Sequence, residues 1–207
     1  MFDRGWVGAL EWAVAGRPID GEARSGDHWV IAEADGNALI GVVDGLGHGE
    51  AAADAAHRAT DIVAKNPGEP LQTLFVQCHE ALALTRGCAM TLTRIGLDDG
   101  SLGWLGVGNV TASLIRTGVD GSVTRQSALL RGGVVGYQLP PHLHVRYTEM
   151  LPGDLLLMGT DGLDSSFAEA PKPGQQTGEL VGYILEQCAK GTDDALILAL
   201  RNRGPSS

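Results

Sequence analysis

Four aspartates stand at positions where carboxylates can do metal chemistry. Asp44 follows the apolar run Ala38–Val43 and opens Asp44-Gly45-Leu46-Gly47-His48-Gly49. Asp161 follows the apolar run Leu155–Thr160, Asp193 precedes Ala195–Leu200, and Asp27 closes Ser25-Gly26-Asp27 ahead of Trp29–Glu33. Carboxylates at the ends of core strands can converge at one sheet edge. Left unpaired there, they repel one another and are costly to desolvate. A hard divalent cation removes that cost, and an all-oxygen donor set suits Mg²⁺ or Mn²⁺ rather than Zn²⁺. Asp44 and Asp161 are each followed by glycine, which lets backbone carbonyls approach an ion. An isolated Asp-Gly is more often a turn, and Asp98, Asp99 and Asp120 take that reading. The repetition of apolar strand plus Asp-Gly, with Asp27 and Asp193-Asp194 in order, raises the pattern above single turns.

The elements that must position these residues follow from periodicity. Trp6–Ala15 reads as one strand ending at Gly16-Arg17-Pro18, and Trp29–Glu33 and Ala38–Val43 as a hairpin across Asp35-Gly36-Asn37. Ala52, Ala55, Ala56, Ala59 and Val63 share one helix face, as do Leu71, Leu74, Phe75, Cys78 and Leu82 on a second helix that begins with Pro70 as a first-turn proline. Asn66-Pro67-Gly68 joins the two as an antiparallel pair. Ala89–Leu97, Leu102–Val107 and Ala112–Arg116 are strand-like, and Asp154–Thr160 is apolar enough to be covered on both faces. Leu180, Val181, Ile184, Leu185 and Cys188 predict a last helix, and Ala195–Leu200 a closing strand. Strands, two helices, strands, then helix and strand is an α+β order rather than alternating βαβ.

Bulk properties bound the function. A chain of 207 residues fits one domain, read here as 1–207 with a short polar tail at 202–207. The formal net charge of −10, without a basic cluster, argues against nucleic acid as partner. Cys78, Cys88 and Cys188 form no Cys-x-x-Cys pair and read as buried hydrophobes of a reducing compartment. No apolar run is long enough to span a bilayer, and the N-terminus has no basic-then-apolar leader. A cytoplasmic protein with no membrane partner is expected.

Five motifs in order carry a resemblance to a known family. Ser25-Gly26-Asp27, Val43-Asp44-Gly45-Leu46-Gly47-His48-Gly49, Gly106-Val107-Gly108-Asn109, Gly159-Thr160-Asp161-Gly162-Leu163 and Thr192-Asp193-Asp194-Ala195 resemble those of PPM-type (type 2C) metal-dependent serine/threonine phosphatases. The match is to the short SpoIIE/RsbX-like branch and runs from about residue 5 to residue 201. The resemblance implies a four-layer α-β-β-α sandwich, with two antiparallel sheets flanked by helices. It also implies two divalent cations, Mn²⁺ or Mg²⁺, activating a water that attacks phosphorus in line. By motif match, Asp44 bridges both ions, Gly45 lends a carbonyl, Asp161 and Asp193 complete the second site, and Asp27 supports it directly or through water.

Departures from the family pattern narrow the expectation. Asn109 replaces an aspartate that helps bind a third ion in many bacterial members, and an amide is a poorer ligand for a hard cation. Two residues separate His48 from Asp44-Gly45, so it has two readings: a proton donor or phosphate-facing group, or a polar residue at the N-terminus of a helix. Arg24 lies near the family's phosphate-binding arginine at different spacing and is carried as a phosphate-binding candidate. The flap, Gly118 to Leu139, is short, which suits a folded phosphoprotein substrate. The resemblance implies a STAS-domain regulator of stressosome or partner-switching signalling as that substrate. A non-catalytic module binding a phosphorylated partner is the alternative. A haloacid-dehalogenase-type hydrolase would need a second aspartate in place of Leu46.

Overall fold

Alternation along the final strand shows how the layers are built. In the computed structural model, which describes residues 1–171 and 175–204, Leu196, Leu198 and Leu200 face one core while Ala195, Ile197 and Ala199 face another. A strand buried on both faces lies between two layers, and this one (β12, Ala195–Asn202) is central to its sheet.

The elements in chain order are β1 (Phe2–Val7), β2 (Leu10–Arg17), β3 (Asp27–Ala34), β4 (Asn37–Gly45), α1 (Glu50–Lys65), α2 (Leu71–Leu82), β5 (Cys88–Gly96), β6 (Ser101–Val107) and β7 (Thr111–Thr117). They continue with β8 (Val123–Ser127), β9 (Leu130–Arg131), β10 (Arg146–Glu149), β11 (Leu155–Gly159), a 3-10 turn at Ser165–Glu169, α3 (Thr177–Cys188) and β12. One sheet has the order β1-β2-β12-β11-β7-β8; the other has β10-β6-β5-β4-β3, with β9 alongside β6. Among the described residues pairing between these strands is antiparallel except between β6 and β9.

Three apolar cores separate four layers. Between the sheets lie Val14, Ile40, Val42, Trp104, Leu156 and Leu198. A second core joins β3–β6 to α1 and α2 through Leu39, Val43, Ala55, Ala59, Leu74 and Phe75. The third joins β2, β11 and β12 to α3 through Leu157, Ile197, Leu180 and Ile184. This is the expected α-β-β-α sandwich. The alanines of α1 let that helix sit close to β3 and β4, and Glu50 in its first turn and Lys65 in its last suit the helix dipole.

Several expectations are corrected. Trp6–Ala15 is a hairpin, not one strand: β1 and β2 pair with Val7 opposite Leu10, a turn hidden by uninterrupted apolar composition. Pro70 stands one position before the first helical residue of α2 and accepts the Leu74 N–H through its carbonyl. β12 runs on to Asn202, which pairs with Leu10, and Arg203 binds Ala9 and Glu11. Ordered chain thus enters the segment read as a tail, while 205–207 lie outside the described residues. The short flap carries strand β8, which extends one sheet, and β9, which lies beside β6. All three cysteines are free and buried, and among the described residues no helix is long and apolar enough to cross a membrane.

Candidate metal centre

Antiparallel pairing brings the aspartates together at one end of the sandwich. Asp27 begins β3 directly opposite Asp44 near the end of β4. In the facing sheet β11 ends and β12 begins side by side, which places Asp161 and Asp193-Asp194 at neighbouring strand ends. The convergence has an electrostatic consequence. Burial, then the carboxylates of Asp161, Asp193 and Asp194, push the Asp44 carboxyl up to about 8. Burial and the Asp44 carboxylate push Asp27 well above the usual range, against a lowering hydrogen bond from Thr160.

The chain satisfies its structural carboxylates elsewhere with donors. Asp154 is 2% exposed and takes Arg116 at 2.7 Å and the Leu151 N–H at 2.8 Å. Asp194 is 3% exposed and accepts the N–H groups of Gly26 and Ile19 at 2.7 and 2.8 Å, tying the segment before β3 to the start of β12. Asp44 accepts no hydrogen bond among the described residues, although it is half-buried amid like charges. Asp161 takes the Asn109 amide at 2.6 Å, and Lys190 reaches its backbone carbonyl at 2.8 Å. Such a donor set calls for a cation.

The fit to divalent ions is one of chemistry and of partial geometry. Among the described residues no three carboxylate, imidazole or thiol side chains close on one point as a ready-made cage. Mg²⁺ does not need one, since it keeps several waters and takes one or two carboxylates. Asp44, Asp161 and Asp193 remain open to solvent to differing degrees, which leaves room for those waters.

The glycines beside the aspartates serve a purpose the motif did not reveal. A Cβ on Gly45 would fall 2.1 Å from the Ala52 carbonyl oxygen in α1, and one on Gly162 would fall 1.8 Å from that of Asp194. Both are glycine because a backbone crosses there. Each close approach fixes the strand end that bears its aspartate.

The remaining candidates are placed differently from the carboxylates. His48 Nδ1 lies 2.7 Å from Glu22 Oε1 on an exposed loop, and Glu22 sits beside Gly49 at the N-terminus of α1. That geometry favours the helix-terminal reading, because an acid there meets the positive end of the helix dipole. Arg24 is paired with Asp54 of α1 at 3.1 Å on the surface. Sequence reasoning missed Thr160, which donates to Asp27 at 2.7 Å and accepts the Leu196 N–H at 2.9 Å. It missed the structural role of Asp194, and Glu22 and Lys190 as well. Only Thr160 and Asp194 had a signal, as polar residues flanking an apolar strand.

Comparison with known proteins agrees with this architecture. Phosphoserine phosphatase RsbX of Bacillus subtilis (strain 168) is 25% identical over 91 residues, 44% of this chain, and the match spans only 46% of that relative. A chain solved in work on the bacterial stressosome as a modular system adapted to control secondary messenger signalling is 28% identical. It superposes with a TM-score of 0.84 over 93% of this chain and 99% of that one. RsbX in complex with magnesium gives a TM-score of 0.84 at 20% identity, covering 97% of this chain and 98% of that one. The PP2C phosphatase domain of SpoIIE from Bacillus subtilis gives 0.73 at 21% identity, over 93% of this chain and 63% of that one. The family model described as Stage II sporulation protein E (SpoIIE) matches residues 34–203, so the chain belongs to the SpoIIE family of PPM-type phosphatases.

Proposed function

We propose that this chain, as a single domain over 1–207, is a metal-dependent protein serine/threonine phosphatase. It hydrolyses phosphoserine or phosphothreonine on a protein. The observation that carries the reading is Asp44: a half-buried carboxylate at a strand end, without a donor, facing three other acids. Natural chains do not keep such a group uncompensated for stability alone.

In this reading the carboxylates of Asp44, Asp161 and Asp193, with the Gly45 carbonyl, would hold two divalent ions. Asp27 supports the set directly or through water, held in place by the Thr160 hydroxyl. Two divalent cations supply a water that ionises near neutral pH and a counter-charge for the phosphoryl oxygens. Asn109 holds one Asp161 oxygen at 2.6 Å, and an amide there argues against a third ion. Cys88 is buried, with its thiol pushed well above the usual range, so it is no candidate nucleophile.

A phosphoserine substrate is supported by the name of the RsbX relative, and a signalling setting by the stressosome neighbour. We take the partner to be a phosphorylated STAS-domain protein of partner-switching or stressosome signalling, and the compartment to be the cytoplasm. The RsbX neighbour solved in complex with magnesium supports a divalent cation, Mg²⁺ or Mn²⁺, as the cofactor. The test is hydrolysis of p-nitrophenyl phosphate by purified protein. Turnover should require Mn²⁺ or Mg²⁺ and vanish in Asp44→Ala; activity that survives both EDTA and that substitution overturns the reading.

A further inference from the structure

The α2–β5 loop docks against the segment that follows Asp44. The Leu46 N–H donates to the Gly87 carbonyl at 3.1 Å. Arg86 lies over Gly47, with Nη1 only 2.5 Å from where a Cβ would stand, and Gly47 itself has φ +83°. The guanidinium therefore fills the space a side chain at position 47 would need, three residues beyond Asp44.

Arg86 makes no hydrogen bond or ion pair among the described residues, although the chain carries a net charge of −10. Three arginines are paired with acids, Arg24 with Asp54, Arg116 with Asp154 and Arg203 with Glu11; Arg86 is among those that are not, and it lies over the segment that follows Asp44. The loop under Arg86 is nevertheless well held. Cys88 and Val135 exchange two backbone hydrogen bonds at 2.9 Å, and Thr85 Oγ1 donates to the Leu82 carbonyl and accepts the Gly87 N–H. Arg86, Leu84 and Thr85 line one side of a shallow cleft whose other side is Ala51 and Asp54 of α1. Across it Arg24 neutralises Asp54, which leaves the Arg86 fork without an acid to bind.

We propose that Arg86, rather than Arg24, binds the phosphoryl oxygens of the substrate, an inference that rests on the phosphatase reading above. A phosphate dianion approaching five aspartates (27, 44, 161, 193 and 194) needs positive charge on its outer side as well as beneath it. A planar guanidinium on a fixed loop offers two parallel N–H donors to phosphate, which a lysine does not.

The experiment compares wild type, Arg86→Ala, Arg86→Lys, Arg24→Ala and the distant surface variant Arg146→Ala, all loaded with Mn²⁺. Readouts are p-nitrophenyl phosphate kinetics and calorimetric binding of inorganic phosphate. Arg86→Ala should raise KM and weaken phosphate binding about 10- to 100-fold, the size of a charge-assisted pair. Arg86→Lys should recover part of both, and Arg146→Ala should change neither. Because Arg86 is exposed and gives up no internal bond, its melting temperature should be unchanged. An active wild type with Arg86→Ala within twofold of it in KM and phosphate affinity overturns the proposal, as does a larger loss in Arg24→Ala. If wild type shows no turnover but binds phosphate through Arg86, the phosphatase reading fails and this one stands. If it neither turns over nor binds phosphate, both fail.

Discussion

Replacing Asp44 by Asn separates a metal ligand from a structural acid, because the two make opposite predictions in EDTA. In the metal-free fold the carboxyl is raised from 3.8 to about 8, first by burial and then by Asp161, Asp193 and Asp194. A carboxyl raised in the folded state favours folding while protonated. Its contribution is fully present below the unfolded pKa and is lost as pH rises through the folded one. Metal-free protein should therefore lose stability from about pH 4 up to about pH 8. At about 1.4 kcal/mol per unit the loss by pH 7 is a few kcal/mol. Asn keeps the shape and removes the charge, so Asp44→Asn in EDTA at pH 8 should be more stable than wild type by about 1–3 kcal/mol. For a domain of this size that is a melting temperature about 3–10 °C higher.

Saturating Mn²⁺ should reverse the order. Binding only to the folded state adds about 2.7 kcal/mol at one hundred times Kd, and the variant should gain little of it. Calorimetric melting from pH 4 to pH 8, with EDTA and with Mn²⁺, measures both differences. His28 contributes a separate trend, since burial and the His57 ring hold it down to about 4. Subtracting the two proteins' profiles cancels it. An Asp44→Asn protein that is destabilised in EDTA and gains as much from Mn²⁺ as wild type would refute the reasoning.

Three further substitutions probe the supports. Asp194→Ala strands the N–H groups of Gly26 and Ile19 and should cost about 2–3 kcal/mol in urea unfolding, equally with and without Mn²⁺. Thr160→Val leaves the Leu196 N–H without its acceptor and Asp27 without its donor. It should cost about 1–3 kcal/mol and weaken Mn²⁺ binding measured by calorimetry. Asn109→Asp replaces the 2.6 Å amide contact to Asp161 with like charge. It should lower the melting temperature in EDTA and recover it on titration with Mn²⁺.

What was legible in the sequence depended on period and burial. β12 and α1 stood out because each repeats its apolar residues at its own period, and Asp44 and Asp161 stood out because each ends such a run. β8 and β10 did not, since both are mostly exposed and polar and carry no alternation to read. The β1–β2 hairpin was hidden for the opposite reason, as Gly8-Ala9 interrupts neither composition nor hydropathy. Within the site, the missing information was long-range. Thr160 meets Asp27 across 133 residues and Asp194 meets Gly26 across 168, and no local pattern encodes either contact. At Gly45 and Gly162 the sequence pattern did not show a further reason for glycine: a backbone crosses where a side chain would stand.

Diffraction from Mn²⁺-soaked crystals, recorded near the manganese edge, tests the central claim most directly. The account predicts two anomalous peaks sharing Asp44 as a ligand, with Asp161 and Asp193 on one of them. Fully occupied density elsewhere with none at Asp44, or no bound manganese at all, would contradict it.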